Sequence, residues 1–113
     1  MKDAPIDKKD WKDYFETLTD RISGEQILIE IVSDTIGDQI EANWIPFFGV
    51  TYDHKDDIID ISAEHLNHMV RRPQAITVHH DNNHHAVIEI VNAEAEKHIL
   101  KFKEPLFLPN TKH

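Results

Sequence analysis

Cysteine is absent from this sequence of 113 residues. A chain without cysteine has no disulfide framework and no thiolate nucleophile, and it cannot hold zinc or an iron–sulfur cluster through sulfur ligands. Glycine is scarce, and Gly24, Gly37 and Gly49 stand too far apart to form a phosphate-binding loop. These absences exclude several common classes of enzyme and cofactor site.

Basic residues and long apolar runs are also scarce. The 12 lysines and arginines stand against 21 aspartates and glutamates, for a formal net charge of -9, which argues against binding to nucleic-acid phosphates. The longest apolar run, at 44–50, is interrupted by Pro46 and Gly49 and is far shorter than the ~20 residues of a membrane-spanning helix. Residues 1–10 contain no apolar segment of the kind that a secretory signal requires. We therefore expect a cytoplasmic protein with neither a nucleic-acid partner nor a membrane partner.

Histidine, by contrast, is abundant, with 9 residues. Protonation of all of them would bring the formal charge to zero before any carboxylate titrated. The charges are unevenly placed, because residues 26–64 are strongly acidic, with Lys55 as their one basic residue, whereas all the histidines except His54 lie in 65–113. The charge of the second half of the chain should therefore depend on pH.

The hydrophobic pattern predicts a single α+β domain over residues 1–113. Residues 10–22 have helical spacing, and their apolar stripe consists of Trp11, Tyr14, Phe15, Leu18 and Ile22. A second, short helix is predicted over 63–71, with Ser62 as its N-cap and Pro73 beyond its end. Strand-like segments lie at 26–32, 39–45, 48–52, 58–61, 75–80, 86–91 and 98–102.

These elements predict an antiparallel sheet or partly closed barrel of about six strands, with an N-terminal helix and a short helix in the middle. Pro46 is expected to break the strand pairing, because proline donates no backbone hydrogen bond. Residues 1–9 are expected to be disordered, and residues 104–113 to form an extended tail.

Four segments carry a family resemblance. In chain order they are FGVTYD at 48–53, DDIIDI at 56–61, HLNHMV at 65–70 before Pro73, and EPLFLP at 104–109. With the N-terminal Trp11 helix, they make the chain similar, from about Trp11 to Pro109, to a family of small bacterial single-domain proteins of unknown function. The resemblance implies no activity, substrate or cofactor. Residues 79–85 look richer in histidine than the family pattern, so a role for these histidines would be particular to this protein.

The histidine-rich segment predicts a β-hairpin with a defined register. The apolar residues of its two strands share one face if the loop consists of residues 81–83. The predicted pairs are Val78 with Ala86 and Ile76 with Ile88 on the apolar face, and His80 with His84 and His79 with His85 at the tip. Opposed residues of such a ladder have Cβ atoms about 4.5–5.5 Å apart.

Two opposed imidazoles can bind zinc or nickel, but they supply only part of a closed four-ligand site. His65 and His68, three residues apart on the predicted short helix, add ligands if that helix packs near the hairpin. The candidate metal ligands are His79, His85, His80, His84, His65 and His68. Three interpretations stay open: solvated histidines on an exposed tip, a transition-metal site, and a pH-responsive tip that loosens when opposed imidazoles become charged.

Two aromatic or apolar segments are candidates for a protein interface. Strand alternation cannot bury Trp44, Phe47 and Phe48 on one face, so either a kink at Pro46 or a partner must accommodate one ring. The apolar tail raises the same question. The interface candidates are Trp44, Phe47, Leu106 and Phe107, and a second copy of the chain is the simplest partner, giving a homodimer.

No catalytic motif stands out, since the serines lie in turn or cap contexts without a nucleophile elbow. The acidic residues at 53–60 lack the glycine and the final glutamate of a calcium loop. The sequence therefore predicts first a non-catalytic domain without a cofactor that binds another protein or itself. The alternative is a histidine-based metal-binding or pH-responsive module, and a third interpretation is a small enzyme with a pocket between helix and sheet.

Overall fold

The computed structural model describes residues 4–103. In chain order, the elements are strand β1 (Ala4–Pro5), a 3-10 helix (Lys8–Asp10), helix α1 (Trp11–Ile22), and strands β2 (Gln26–Ser33), β3 (Gly37–Asp53), β4 (Ile58–Ala63), β5 (Leu66–Arg71), β6 (Pro73–His80), β7 (Ala86–Asn92) and β8 (Lys97–Phe102). The α+β class and the N-terminal helix are confirmed. The described residues form eight strands rather than about six, and one α-helix rather than two.

All the strands belong to one antiparallel sheet, in the order β1-β6-β7-β8-β2-β3-β4-β5. As far as residues 4–103 show, the sheet is curled but not closed, because β1 and β5 are its two edges. Only Arg72 separates β5 from β6 along the chain, and it makes this connection in the left-handed conformation, at φ 53°. The curl brings β5 against β7, and the core fills the concave side together with the apolar stripe of α1.

Strand β3 joins the two parts of the sheet because it pairs with a different neighbour along each part of its length. Its first part pairs with β2 up to Pro46, which lies opposite Gln26, and its second part pairs with β4 from Phe47, opposite Ala63. The expectation that Pro46 interrupts the strand pairing agrees with the structure, since the ladder with β2 ends at Pro46, although β3 itself continues through it. Pro46 stands where one ladder ends and the next begins, a position that tolerates a residue without an N–H group.

Helix α1 covers the edge of β3 that becomes unpaired where β2 ends. The Gly24 N–H donates to the Phe47 carbonyl at 2.7 Å, and the Phe47 N–H donates to the Glu25 carbonyl at 2.8 Å. Further along, the Thr19 hydroxyl accepts a hydrogen bond from the Val50 N–H at 3.0 Å and donates one to the Val50 carbonyl at 3.1 Å. The helix and the turn that follows it thus satisfy backbone groups that a bare edge strand would leave unpaired.

The segment before α1 is tied to the same core. Trp11 Nε1 donates to the Ile6 carbonyl at 2.9 Å, and the Ile6 N–H donates to the Ile76 carbonyl of β6 at 3.0 Å. Residues 1–9 are expected from the sequence to be disordered, yet their described part includes β1, which pairs with β6. The predicted tail, 104–113, lies outside the described residues.

The prediction of a short helix over 63–71 is wrong. This segment is the end of β4, a two-residue turn at 64–65, and β5, with Ala63 opposite Leu66. Burial along β5 has the two-residue period of a strand, since His68 and Val70 are buried while their neighbours are exposed. The apolar residues of so short a segment fit helical spacing as well, so the pairing with β4 decided the structure.

The remaining strand predictions agree with the structure in position. The two segments predicted at 39–45 and 48–52 are one continuous strand, β3, and the others fall within β2, β4, β6, β7 and β8. The five apolar residues of the α1 stripe are all buried. Alternation and helical spacing were therefore reliable where each segment packs on a single apolar face.

We predict that Thr19→Val destabilises the protein by about 1–3 kcal/mol, because it leaves the Val50 N–H and carbonyl without their partner while keeping the shape of the side chain. Urea unfolding followed by circular dichroism measures the loss. The matched control is Thr17→Val, the same change at an exposed position of α1, which should alter stability by less than about 0.5 kcal/mol. Equal losses in the two variants would show that helix propensity, rather than the bridge to β3, explains the effect.

Candidate functional site

The hairpin between β6 and β7 has a three-residue loop, at 82–84. The Asp81 N–H donates to the His85 carbonyl and the His84 N–H donates to the Asp81 carbonyl, both at 2.9 Å. His84 ends the loop in the left-handed conformation, at φ 66°, as the last residue of such a loop commonly does. The Asp81 carboxylate holds the loop by accepting the N–H groups of Asn83 and His85, both at 2.9 Å.

The predicted register of this hairpin is wrong by two positions. His80 lies opposite Ala86 and His79 lies opposite Val87. A shift of two residues keeps every side chain on its predicted face, so the apolar pattern does not exclude it. The predicted pairs of His80 with His84 and of His79 with His85 therefore do not form, and a pH-responsive tip made of opposed imidazoles loses its basis.

His85 packs against Trp44 instead of against another histidine. The two ring centroids are 5.5 Å apart in an edge-to-face arrangement, and Lys103 Nζ lies 4.8 Å from the Trp44 centroid. On its other side, His85 Nδ1 is 3.7 Å from the Asp81 carboxylate. Trp44, predicted as an interface residue, is thus half-buried against its own chain.

Of the other predicted interface residues, the structure describes Phe47, which does not lie on the surface. Phe47 is fully buried, with its ring 5.1 Å from that of Phe102 in an edge-to-face contact. Leu106 and Phe107 lie outside the described residues. Phe48, which follows Phe47 in β3, has a side chain that is half-exposed.

The described part of the chain contains no group of three or more histidine, aspartate or glutamate side chains arranged to hold a metal ion. His65 is exposed in the β4–β5 turn, at φ 60°, whereas His68 points into the core from β5. Zinc or nickel binding by the hairpin histidines stays a prediction.

Sequence reasoning missed a buried pair of histidines on the concave side of the sheet. His68 on β5 is 8% exposed and His98 on β8 is 5% exposed. Their ring centroids are 5.0 Å apart, and His68 Nε2 lies 2.8 Å from His98 Nδ1, within hydrogen-bond distance. The curl of the sheet makes this contact, because it lays β5 across the strands of the other part.

Asn92 fixes the direction of the hydrogen bond between the two rings. Its Oδ1 accepts the backbone N–H groups of Glu94 and Glu96 at 3.0 and 2.9 Å, so its amide nitrogen must face the other way. That nitrogen donates to Glu96 Oε1 at 2.8 Å and to His98 Nε2 at 3.4 Å. His98 Nε2 is therefore the acceptor, and His98 carries its proton on Nδ1 and donates it to His68 Nε2.

The environment favours the neutral form of both rings. Burial lowers the pKa of His68 to about 4, and the neighbouring His98 contributes in the same direction. Burial also lowers the pKa of His98, while the carboxylates of Glu96 and Glu41 partly offset that effect. The first proton is therefore expected on His98, whose Nε2 lies 3.7 Å from Glu96 Oε1.

This arrangement accepts one proton but not two. With one proton added at His98 Nε2, His98 still donates from Nδ1 to His68 Nε2, and its Nε2–H lies near the Glu96 carboxylate. With two added, both facing nitrogens are donors, so the hydrogen bond is lost and two positive charges face each other in the core. The pair is a proton-sensitive contact between the two parts of the sheet.

A signal for this pair was present in the sequence. His98 has the same strand parity as Leu100 and Phe102, both buried, within the segment 98–102 predicted as a strand. A histidine at a core-facing position needs an internal polar partner. The buried position of His68 was missed because the predicted helix places His68 on the same face as His65.

The curled antiparallel sheet, its single covering helix and the buried imidazole pair define a small α+β protein with an internal polar contact. Residues 2–111 match the family of unknown function DUF5335, and the chain belongs to that family. The predicted resemblance to a family of unknown function is confirmed.

The chain is similar along nearly all of its length to an uncharacterised protein of Aquifex aeolicus (strain VF5). The two are 33% identical over 110 residues, which cover 96% of this chain and 99% of that protein. No solved structure matches the chain. Within residues 4–103, no helix combines the length and apolarity needed to span a membrane.

We predict that Asn92→Asp raises the pKa of His98, because it places a carboxylate oxygen where an amide donor now faces His98 Nε2. The change should also move the His98 proton from Nδ1 to Nε2. Titration of the ring nitrogens by NMR measures both effects. The control is Asn43→Asp at an exposed position of β3, and an unchanged His98 titration in Asn92→Asp would contradict the assigned hydrogen-bond direction.

Proposed function

We propose that this protein is a non-catalytic, pH-responsive domain in which the His68–His98 pair is the responsive element. The observation that carries the proposal is the 2.8 Å contact between two buried imidazoles on strands that belong to different parts of the sheet. Histidine is the side chain whose ordinary pKa lies closest to physiological pH, so a buried pair of this kind responds to mild acid.

The sign of the response follows from the lowered pKa values. In the unfolded chain a histidine takes up its proton near pH 6.5, whereas His68 in the folded protein takes it up only near pH 4. The unfolded state therefore binds more protons between these values, and stability falls as the pH is lowered through this window. Above it, both imidazoles are neutral and the contact contributes fully.

Protonation of the histidine pair acts on one strand of the sheet, β5. Among residues 4–103, the strand that carries His68, β5, is an edge of the sheet and pairs with β4 alone. The contact with His98 is a polar link between β5 and the opposite part of the sheet. A second proton on the pair therefore favours separation of β5 from β7 and β8, and exposes the concave surface beneath it.

We predict that lowering the pH from about 7.5 to about 5 costs about 2 kcal/mol of folding stability through His68 alone. His68→Gln keeps an acceptor for the His98 Nδ1–H but cannot titrate, so its stability should fall less over the same range. Urea unfolding at the two pH values measures the difference.

The matched control is His54→Gln, the same substitution at an exposed position in the β3–β4 turn. It should keep the pH dependence of the original chain. If His68→Gln keeps that full dependence as well, the buried pair is not the responsive element and the proposed function fails.

Self-association is the second candidate function, and the convex face of the sheet favours it. Apolar side chains there are partly open to solvent: Ile40 is 53% exposed, and Leu28, Val32, Ile99 and Val91 are half-buried. Leu28, Val32, Ile99 and Val91 lie on the side of the sheet away from the core, because they alternate along their strands with more deeply buried residues. Ile40 lies on the same side because it is the ladder partner of Glu30, which follows the core residue Ile29. This face, rather than Trp44 and Phe47, is the candidate contact surface.

A further inference from the structure

The convex face of β2, β8 and β7 carries a regular arrangement of charged and apolar side chains. At its centre is Ile99 of β8. Along the direction of the ladder hydrogen bonds, Ile99 is flanked by Glu30 of β2 on one side and Glu89 of β7 on the other. Along its own strand, two residues away in each direction, it is flanked by Lys97 and Lys101. We call these five residues and the four aliphatic ones at their corners the outer patch.

The corners of the outer patch are occupied by aliphatic residues on the flanking strands. Leu28 and Lys101, and Val32 and Lys97, are ladder partners between β2 and β8, and Val87 and Val91 hold the equivalent positions on β7. Three of the corners are half-buried, whereas Val87 is 3% exposed and already covered. Contact with another molecule therefore centres on Ile99 and the charges around it.

We propose that the outer patch binds the outer patch of a second copy of this chain, with the two sheets crossing at roughly 90°. This inference rests on self-association, the second function proposed above, and names its surface and geometry. The partner follows from the symmetry of the charges, because the pattern is complementary to itself under a two-fold rotation.

The complementarity is a geometric consequence of where the charges lie. In this arrangement the two-fold axis lies between the two facing sheets, over Ile99, and runs along a diagonal of the patch. Rotation about this axis turns the strand direction of one copy onto the hydrogen-bonding direction of the other. Each glutamate of one copy then faces a lysine of the other, and Ile99 faces its own counterpart. Both diagonals give this matching, and a closed two-fold contact of this kind is the commonest form of self-association.

The distances are compatible with this arrangement. Neighbouring strands lie about 4.8 Å apart, whereas residues two apart on one strand are separated by about 6.6–6.8 Å. The mismatch of about 2 Å between facing positions is within the reach of flexible lysine and glutamate side chains. Parallel or antiparallel stacking of the strands would instead place glutamate over glutamate and lysine over lysine.

Charge also favours this surface over others for contact between two copies. The chain carries a formal net charge of -9, so most pairs of surfaces repel each other. The two acidic and two basic residues that belong to the outer patch balance each other in charge. Glu30 lies beside Asp38, whose side chain raises the pKa of Glu30, and a partner's lysine would offset that accumulation of negative charge. Lys101 already has a long contact with Asp81, 3.9 Å from nitrogen to oxygen, which is weak enough to rearrange.

The area of the outer patch limits the expected affinity of the dimer. Three strands present less than the ~800 Å² per partner of a standard stable interface. We therefore expect a dimer that dissociates in the micromolar range. Sedimentation equilibrium of the full chain from about 5 to about 500 µM covers that range.

The test exchanges the charges of the patch. In Glu30→Lys/Glu89→Lys the four charges become positive, and in Lys97→Glu/Lys101→Glu they become negative. Each variant alone should dissociate at least about tenfold more readily than the original chain, because like charges now face each other. An equimolar mixture of the two should associate again, with an affinity within about threefold of the original.

The control, Asp34→Lys/Asp56→Lys, makes the same change in net charge as Glu30→Lys/Glu89→Lys but at exposed turn positions, and it should leave the dimer intact or strengthen it. Circular dichroism checks that every variant is folded. A monomeric original chain at all concentrations would overturn both self-association and this surface. If the original dimerises and the exchanged variants still do, or if their mixture fails to associate, self-association stands but the outer patch is the wrong surface.

Discussion

The pairing of β3 with two different neighbours is the constraint on which the rest of the structure depends. A strand that changes partners leaves one of its edges unpaired after the change, and buried backbone groups without partners are costly. Helix α1 resolves this by placing the hydroxyl of Thr19 between the N–H and the carbonyl of Val50. Because the helix holds this edge, β4 and β5 can turn away from β2 and curl over the core.

The buried imidazole pair is a consequence of that curl. His68 and His98 are on strands that are four places apart in the order of the sheet, and only the curvature brings them to 2.8 Å. Asn92 then sets the direction of their hydrogen bond through two backbone N–H groups of the β7–β8 turn. A polar contact so placed links the edge strand β5 to β8 in the middle of the sheet, and its state depends on protons because burial disfavours charge on either ring.

Sequence patterns predicted some elements correctly and failed where strand pairing decided the structure. The apolar stripe of α1 and the buried positions of β2, β7 and β8 follow from periodicity, since each packs on a single continuous core. Segment 63–71 was assigned to a helix because its short apolar pattern fits both periods, and pairing with β4 is a long-range contact that no local pattern encodes. The hairpin register failed for a related reason: a slip of two residues preserves the faces, and the loop hydrogen bonds of Asp81 made the choice.

The sequence by itself determined the α+β class, the amphipathic helix, the positions of most strands, the absence of cysteine chemistry and the family. Each of these depends on composition or on contacts between near neighbours in the chain. The tertiary structure alone decided which histidines meet, that Phe47 is buried while Phe48 is exposed, and that Glu30, Glu89, Lys97 and Lys101 surround Ile99. These depend on strand order and curvature, which are set by contacts between residues far apart in the sequence and so have no local periodicity to reveal them.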